Sequence, residues 1–402
     1  MNLFSAASKA QRQLKGFTVE TPLETCRYLS EKYNAEICLK REDMQLTHSF
    51  KLRGAYSKIS TLSPTEKKNG IIASSACSHL QGVAHCCNAL RVKGTIYVPT
   101  KTSVSEIEKI KSLGKEFVKV IRAGESQEHA LAIAMGDSSL NRKAFVHPFD
   151  DLQIIAGQAS TGLEILEQTN APIDFLFVPM LGGGLAAGIV AVFKVLSPNT
   201  KIIAVLPEEV KNLKSDPDKK TLNFTGLEGA TSPLYHQLIE NLHDRVYIPQ
   251  GHLCTSVLEL HKHHKITLKV SGALSISALD LYADQLEGKN VVCILSEGLN
   301  KLKKQDKLKE LSRLFLGLVH YLRIEFPNGI KGAKHFINNI LAEDDAVTFF
   351  YTVKSKSCST ESIIFRLETK NAENIFAIKK ALNESSLKYN VLKKIKYIRT
   401  VA

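Results

Sequence analysis

The sequence predicts an α/β protein with largely parallel sheets, followed by a smaller unit of ferredoxin-like order. Three observations predict it. From about residue 36 onward, short apolar runs alternate with helix-like stretches, the order that builds parallel sheets flanked by helices. The runs are rich in β-branched residues and are bounded by Gly, Pro or polar residues, as buried strands are. After about residue 320 the order changes to strand, helix, strand, strand, helix, strand. A chain of 402 residues has room for two or three domains, each with its own core.

Taken in order, the expected strands are Ile37–Leu39, Gly70–Ala73, Gly94–Val98, Val118–Ile121, Phe145–His147, Phe175–Val178, Ile202–Val205 and Val291–Leu295. Helices are expected between them at Ser103–Leu113, Ser126–Leu140, Ile154–Gln168 and Gly183–Leu196. The Lys-rich stretch Lys301–Glu310 reads as a charged joining helix. The second part opens with a strand at Leu318–Glu325, passes Pro327 and Gly329, and enters a helix at Lys331–Leu341. Strands at Val347–Val353 and Glu361–Leu367, a helix at Asn371–Leu387 and a last strand at Asn390–Thr400 complete it. The expected division is 1–315 and 316–402, with a small lobe at about 49–148 inside the first part.

Composition narrows the function. Apolar residues make up 44% and charged residues 23%, ordinary values for a globular protein. No run of about 18 apolar residues occurs, so no membrane span is expected. Lys and Arg number 53 against 40 Asp and Glu, a net charge of +13. The basic residues are scattered, and their densest clusters, Lys301–Lys309 and Lys388–Lys396, carry almost no aromatics, so nucleic acid is not expected as a partner. Eight cysteines include no Cys-x-x-Cys pair, which suits reduced thiols and a cytoplasmic setting. Lys9, Arg12 and Lys15 near the start faintly suggest a transit segment. A basic first helix is the better reading, because a motif begins at Glu20.

Four strings carry chemistry. The first, Ile37–Ile59, is a strand ending in Lys-Arg-Glu-Asp, then a turn, then Ser49-Phe50-Lys51 entering a helix. Amine chemistry on a carbonyl needs a partly desolvated lysine, and apolar Phe50 beside Lys51 offers that setting; on the string alone a surface lysine at a helix start is the plainer reading. The second, Val178–Ile189, runs from a buried strand into Gly182-Gly183-Gly184 and a helix. Unhindered N–H groups at a helix start make a phosphate cradle, although a glycine triplet also serves a tight turn. In the third, Ser74–Ala84, a polar loop follows a strand and opens a helix, and its N–H groups could take a carboxylate. In the fourth, Val291–Gly298, a buried strand ends at Ser296, where a hydroxyl is well placed for a ligand. On either of the last two strings alone, an ordinary cap or strand-end turn is the plainer reading.

Together these strings resemble the threonine dehydratases of the tryptophan-synthase-β-like group of pyridoxal-phosphate (PLP) enzymes. The likeness spans nearly the whole chain, from "ETPLETCRYLSEKY" at Glu20 through "SFKLRGAY", "FVHPFDD" at Phe145 and "SGALSISALDLY" at Ser271. The tail from Phe326 is similar to the single regulatory ACT-like domain of the shorter biosynthetic members. The resemblance implies a two-lobed fold-type-II catalytic domain and a PLP cofactor held covalently by Lys51. It places Phe50 beside the ring, Gly182, Gly183, Gly184 and Leu185 at the phosphate, Ser78 at the ring hydroxyl and Ser296 at the pyridine nitrogen. Ser75, Ala76 and His79 would line the substrate loop. It further implies deamination of L-threonine, and of L-serine, to a 2-oxo acid and ammonia early in isoleucine synthesis. A homo-oligomer (dimer or tetramer) and an isoleucine or valine effector are implied as well. A serine dehydratase or racemase, or a silent paralogue that only binds an amino acid or a partner, are the alternatives.

The sequence departs from the family strings in several places. Cys77-Ser78 stands where the family has Gly-Asn. Leu181 replaces the first of four glycines. Lys269 replaces a glutamate, which reads as a two-unit change of local charge, and Glu297 replaces a glycine after Ser296. At the regulatory end Ile330–Lys334 departs, whereas Asp344, Asp345 and Tyr351 keep the pattern. No metal site is expected. His261 and His264 share a helix face but read as solvated, and Cys86 and Cys87 read as a buried helix face.

Overall fold

The computed structural model describes residues 3–75, 77–211, 240–299, 302, 305–327, 329–341, 345–353 and 361–392. The chain forms two compact units, Met1–Leu302 and Lys303–Ala402.

In the first unit the strands are β1 (Leu23–Thr25), β2 (Glu36–Lys40), β3 (Ile71–Ser74), β4 (Gly94–Val98), β5 (Val118–Arg122), β6 (Ala144–Phe145), β7 (Phe175–Pro179), β8 (Lys201–Pro207), β9 (Asp244–Ile248) and β10 (Asn290–Ile294). They make two sheets. One has the order β1-β2-β10-β7-β8-β9, parallel except for the antiparallel edge pair β1–β2. The other has the order β5-β4-β3-β6 and is wholly parallel. All five residues of β7 are buried, as a parallel strand covered on both faces must be.

Helices cover the sheets for reasons visible in their residues. Leu3, Ala6, Ala7, Ala10 and Leu14 fall on one face of the first helix, Leu3–Leu14, and are buried. That helix joins the core made by helices Leu152–Gln168 and Gly184–Leu196. Asp151 caps Leu152–Gln168 by accepting from the N–H groups of Gln153 and Ile154, and Ser63 with Glu66 forms a complete capping box on Pro64–Asn69.

Several sequence expectations shift. The strands β1 and β9 were not foreseen: β1 has only three residues, and β9 opens with Asp244 and Arg245, which leaves a short apolar run. The strand expected at Phe145–His147 stops at Phe145. There His147 turns inward and its Nδ1 accepts from the N–H groups of Phe149 and Asp150. The joining helix is described over Gln305–Phe315, in the second unit, and residues 301, 303 and 304 of the expected stretch lie outside the described residues. Glu310 fixes the helix in that unit, since it pairs with Arg366 at 2.5 Å and accepts from the Tyr321 hydroxyl.

The second unit carries β11 (Val319–Phe326), β12 (Ala346–Val353), β13 (Glu361–Glu368) and β14 (Tyr389–Val391) in the order β12-β13-β11-β14, all antiparallel. Helices Gly329–Ile340 and Asn374–Glu384 pack Ala333, Phe336, Ile375, Ile378 and Leu382 against Leu322, Ile324, Phe326, Ile363, Phe365 and Leu367 of the sheet. This is the ferredoxin-like order read from the sequence. The last strand is described only as Tyr389–Val391, and residues 393–400 of the expected strand lie outside the described residues, as does Asp344.

No described helix is long and apolar enough to cross a membrane.

Candidate active site

Three of the four chemical strings leave the carboxyl ends of neighbouring strands. β2, β10 and β7 lie side by side and parallel. Beyond β2 the chain makes a short turn, Glu42–Met44, and reaches Lys51. Beyond β10 it reaches Ser296, and beyond β7 it enters the glycine loop. The fourth string leaves the carboxyl end of β3, at the middle of the other sheet. Ligands of open parallel sheets bind at such ends.

Lys51 is the first residue of helix Lys51–Ser60, with Phe50 at its cap position. The helix is anchored by Arg53, two residues further on. Arg53 is fully buried and bonds both Glu42 (2.7 and 2.9 Å) and Glu164 (2.5 and 2.8 Å). Lys40, also fully buried, adds a bond to Glu164 at 2.7 Å. Glu42, set aside in the sequence as structural, is thus a fully buried partner of Arg53.

The Lys51 ammonium does not stand alone. Its Nζ lies 3.0 Å from Glu297 Oε1 and 5.9 Å from the centre of the Phe50 ring. Lys269 approaches the other side of the same carboxylate, 3.3 Å from Oε2, and donates to Ser78 Oγ at 2.7 Å. Ser271 also donates to Glu297 Oε2, at 3.3 Å. Burial alone would raise the Glu297 pKa, but the charges of Lys51 and Lys269 outweigh it and hold this carboxyl well below the usual range.

The main chain fixes Glu297 from both sides. Isolated bridges pair Ser49 with Glu297 and Leu268 with Gly298. Gly298 N–H donates to His48 O, and Lys269 N–H donates to Glu297 O. A Cβ at Gly272 would sit 2.1 Å from Glu297 O, so only glycine fits there. The two-unit charge change read from Lys269 is therefore amended, because the neighbouring carboxylate of Glu297 supplies a counter-charge.

The glycine loop has the form of an anion cradle. Gly183 caps helix Gly184–Leu196 with φ +78°, a conformation that favours glycine. A Cβ at Gly182 would meet the Phe149 ring at 2.6 Å, and one at Gly184 would meet Phe149 O at 3.0 Å. The first N–H groups of a helix have no acceptor within it and sit at its positive end; Leu185, buried, lies in that first turn.

Ser296 is 1% exposed and its Oγ has no hydrogen-bond partner among the described residues. A buried hydroxyl without a partner is costly unless a ligand supplies one. His79 is fully buried, with Nε2 on the carbonyl of Val146 at 3.2 Å. Since a carbonyl only accepts, Nε2 carries the proton, and the unpartnered Nδ1 is an acceptor. Burial, joined by the charge of Lys51, pushes His79 down to about 3. Ser75 is half-buried, and Ala76 lies outside the described residues. Cys86 and Cys87 are buried in the core of the small lobe. His261, His263 and His264 are engaged with Thr267, Tyr28 and Cys26 respectively, closer neighbours than a solvated face would give.

Sequence reasoning missed two members of the site. Phe149 packs under the glycine loop, and its only sequence signal was its place in "FVHPFDD". Glu297 was noted as a departure, but its pairing with Lys51 and Lys269 joins positions too far apart in sequence for local pattern to show.

Residues 14–297 match the family of pyridoxal-phosphate dependent enzymes. This chain belongs to that family. The chain is 34% identical over 395 residues to the biosynthetic L-threonine dehydratase of Halalkalibacterium halodurans, covering 96% of this chain and 95% of the relative. Its structure is similar to the processed form of threonine deaminase isoform 2 from Solanum lycopersicum, with a TM-score of 0.70 and 29% identity over 78% of this chain and 88% of that one. It is also similar to serine racemase from Dictyostelium discoideum, with a TM-score of 0.65 and 26% identity over 74% of this chain and 99% of that one. The family's cofactor, PLP, needs an amine, a phosphate cradle and a partner for its ring nitrogen. The orphaned hydroxyl of Ser296 and the loop that admits no Cβ at Gly182 fit those needs.

Proposed function

We propose that this chain is a PLP-dependent threonine ammonia-lyase, converting L-threonine to 2-oxobutanoate and ammonia, with L-serine as a second substrate. The observation that carries the reading is coverage. The dehydratase relative is 34% identical over 395 residues, 96% of this chain, so the likeness in sequence runs through the second unit as well as the first. In this reading Lys51 holds the cofactor covalently with Phe50 beside it. Gly182, Gly183, Gly184 and Leu185 hold its phosphate, Ser78 faces its ring hydroxyl and Ser296 faces its ring nitrogen. Bound there, PLP supplies an electron sink for the bond broken at the substrate Cα.

The remaining work belongs to the protein's own groups. The amine of Lys51 takes the Cα proton when it is uncharged. Ser296, a neutral hydroxyl, would bring no charge to the ring nitrogen, and a sink of that kind would favour loss of the β-hydroxyl over transamination. Ser75, Ala76 and His79 form the loop for the substrate carboxylate. Neutral His79 braces that loop through Val146 and adds no charge. Overall, threonine yields one 2-oxobutanoate and one ammonia, with the water lost in elimination regained on hydrolysis. The first unit (1–302) serves as the catalytic domain and the second (303–402) as an ACT-like regulatory domain that takes isoleucine or valine. The protein works as a cytoplasmic homo-oligomer.

The test is a product assay on the purified full chain supplied with PLP. Threonine should yield 2-oxobutanoate and the protein should show a visible cofactor band. K51A should lose both. A visible band with no 2-oxobutanoate, but with D-serine formed from L-serine, would replace this reading with a racemase.

A further inference from the structure

Two cations share one carboxylate at the mouth of the proposed lysine site. Lys51 and Lys269 flank Glu297 at 3.0 and 3.3 Å, so the cluster carries one positive charge in excess when all three are ionised. The Glu297 side chain is 6% exposed, against 17% for Lys51 and 32% for Lys269. Screening is therefore weak at the carboxylate and stronger at Lys269. Backbone bridges from Ser49 to Glu297 and from Leu268 to Gly298 fix the main chain at Glu297 between the two lysines.

We propose that Glu297 is a positioning residue for Lys51: a counter-charge held against its ammonium that governs how readily the Lys51 amine reacts, with Lys269 acting in the opposite sense. The proposal rests on the reading of Lys51 as the reactive lysine. An amine attacks a carbonyl or removes a proton only in its uncharged form. A carboxylate at 3.0 Å favours the charged form, and a second ammonium on the same carboxylate opposes it. The depressed proton affinity of Glu297 keeps it a counter-ion and makes it a poor proton acceptor. The other groups facing this cluster are the hydroxyls of Ser78, from helix Cys77–Leu90, and Ser271, from the turn Val270–Ala273. His79 feels the charge of Lys51 and is neutral, as is His147 beside it. None of these four carries a charge that could replace that of Glu297. The two sequence departures thus act as one device that governs how readily Lys51 reacts.

The test uses the full chain stripped of cofactor, so it does not depend on turnover. Wild type, E297Q, K269M and the double variant are treated with trace acetic anhydride at several pH values. Acetylation of Lys51 is measured by mass spectrometry against exposed Lys262 in the same sample. At neutral pH, E297Q should label Lys51 about tenfold faster or more, the size expected for loss of a close opposite charge. K269M should label it more slowly, and the double variant should fall between them. Equal rates in all four proteins, or shifts of the same sign in E297Q and K269M, would overturn the proposal. Should E297Q fail to fold, K269M alone decides, because its predicted slowing has a sign that loosened packing would not give. The threonine assay separates the two readings. Opposite labelling shifts without 2-oxobutanoate would sink the assigned reaction and leave the role of Glu297 standing. Product formation with unchanged labelling would do the reverse.

Discussion

Two ionic clusters begin two residues apart in the chain, and they are built on different plans. Around Arg53 there are two cations, Arg53 and Lys40, and two anions, Glu42 and Glu164. Three of these side chains are fully buried and the fourth is 9% exposed. Around Lys51 there are two cations and one anion, and both lysines reach solvent. The first cluster is balanced and dry, and every strong donor on the Arg53 guanidinium has an acceptor. It ties together β2, the turn after it, and helices Lys51–Ser60 and Leu152–Gln168. The second has charge left over and an open side. The difference teaches that burial with neutrality makes a fastener, whereas incomplete neutrality beside an opening makes a place for anionic ligands such as a phosphate or a substrate carboxylate.

The sharpest way to break this comparison is to remove one cation from each cluster. R53M leaves two carboxylates facing only Lys40 and should cost about 3–5 kcal/mol of stability in urea unfolding, the scale for breaking a buried pair. K269M removes a partly solvated charge and should cost less than about 1 kcal/mol. Equal losses would dissolve the distinction.

Next in size is the pH response of His79, whose proton affinity is lowered to about 3. The unfolded chain takes up this proton near pH 6.5 and the folded chain does not. Stability is therefore fully present above 6.5 and falls by about 1.4 kcal/mol per pH unit as pH drops from there toward 3. Between pH 6.5 and 5, before carboxylates titrate, H79Q should flatten the curve of unfolding free energy by about that slope. A curve parallel to wild type would contradict the buried neutral histidine. G183A comes third: a side chain at φ +78° should destabilise by about 1–2 kcal/mol and weaken cofactor retention on dialysis. The smallest expected effect is a rise of a few degrees in melting temperature on adding isoleucine, and no change in Tm or rate would remove the proposed effector.

Much of the fold was legible because its signals are local. The buried strands β7, β8 and β10 read as continuous apolar runs, and the cap residues Ser103, Ser126 and Asp151 stand where the helices start. The glycine loop and Ser296 were legible as chemistry because each follows such a strand. What escaped depends on distant pairing. Lys40 reads as the polar end of a strand, yet it is fully buried, because Glu164 arrives from another helix. Lys269 and Glu297 read as two separate departures, and only the bridges at Ser49 and Leu268 reveal them as partners. β9 escaped for a humbler reason, since Asp244 and Arg245 mask its start.

The coupling of Lys269 to Glu297 also governs how this site can change over generations. Neutralising Glu297 alone raises the excess beside Lys51 from one positive charge to two, and neutralising Lys269 alone removes it, so each single step changes the local charge while the paired exchange keeps it. A mutational library that varies one position at a time would score both as intolerant, and one that varies them jointly would recover function in charge-matched pairs.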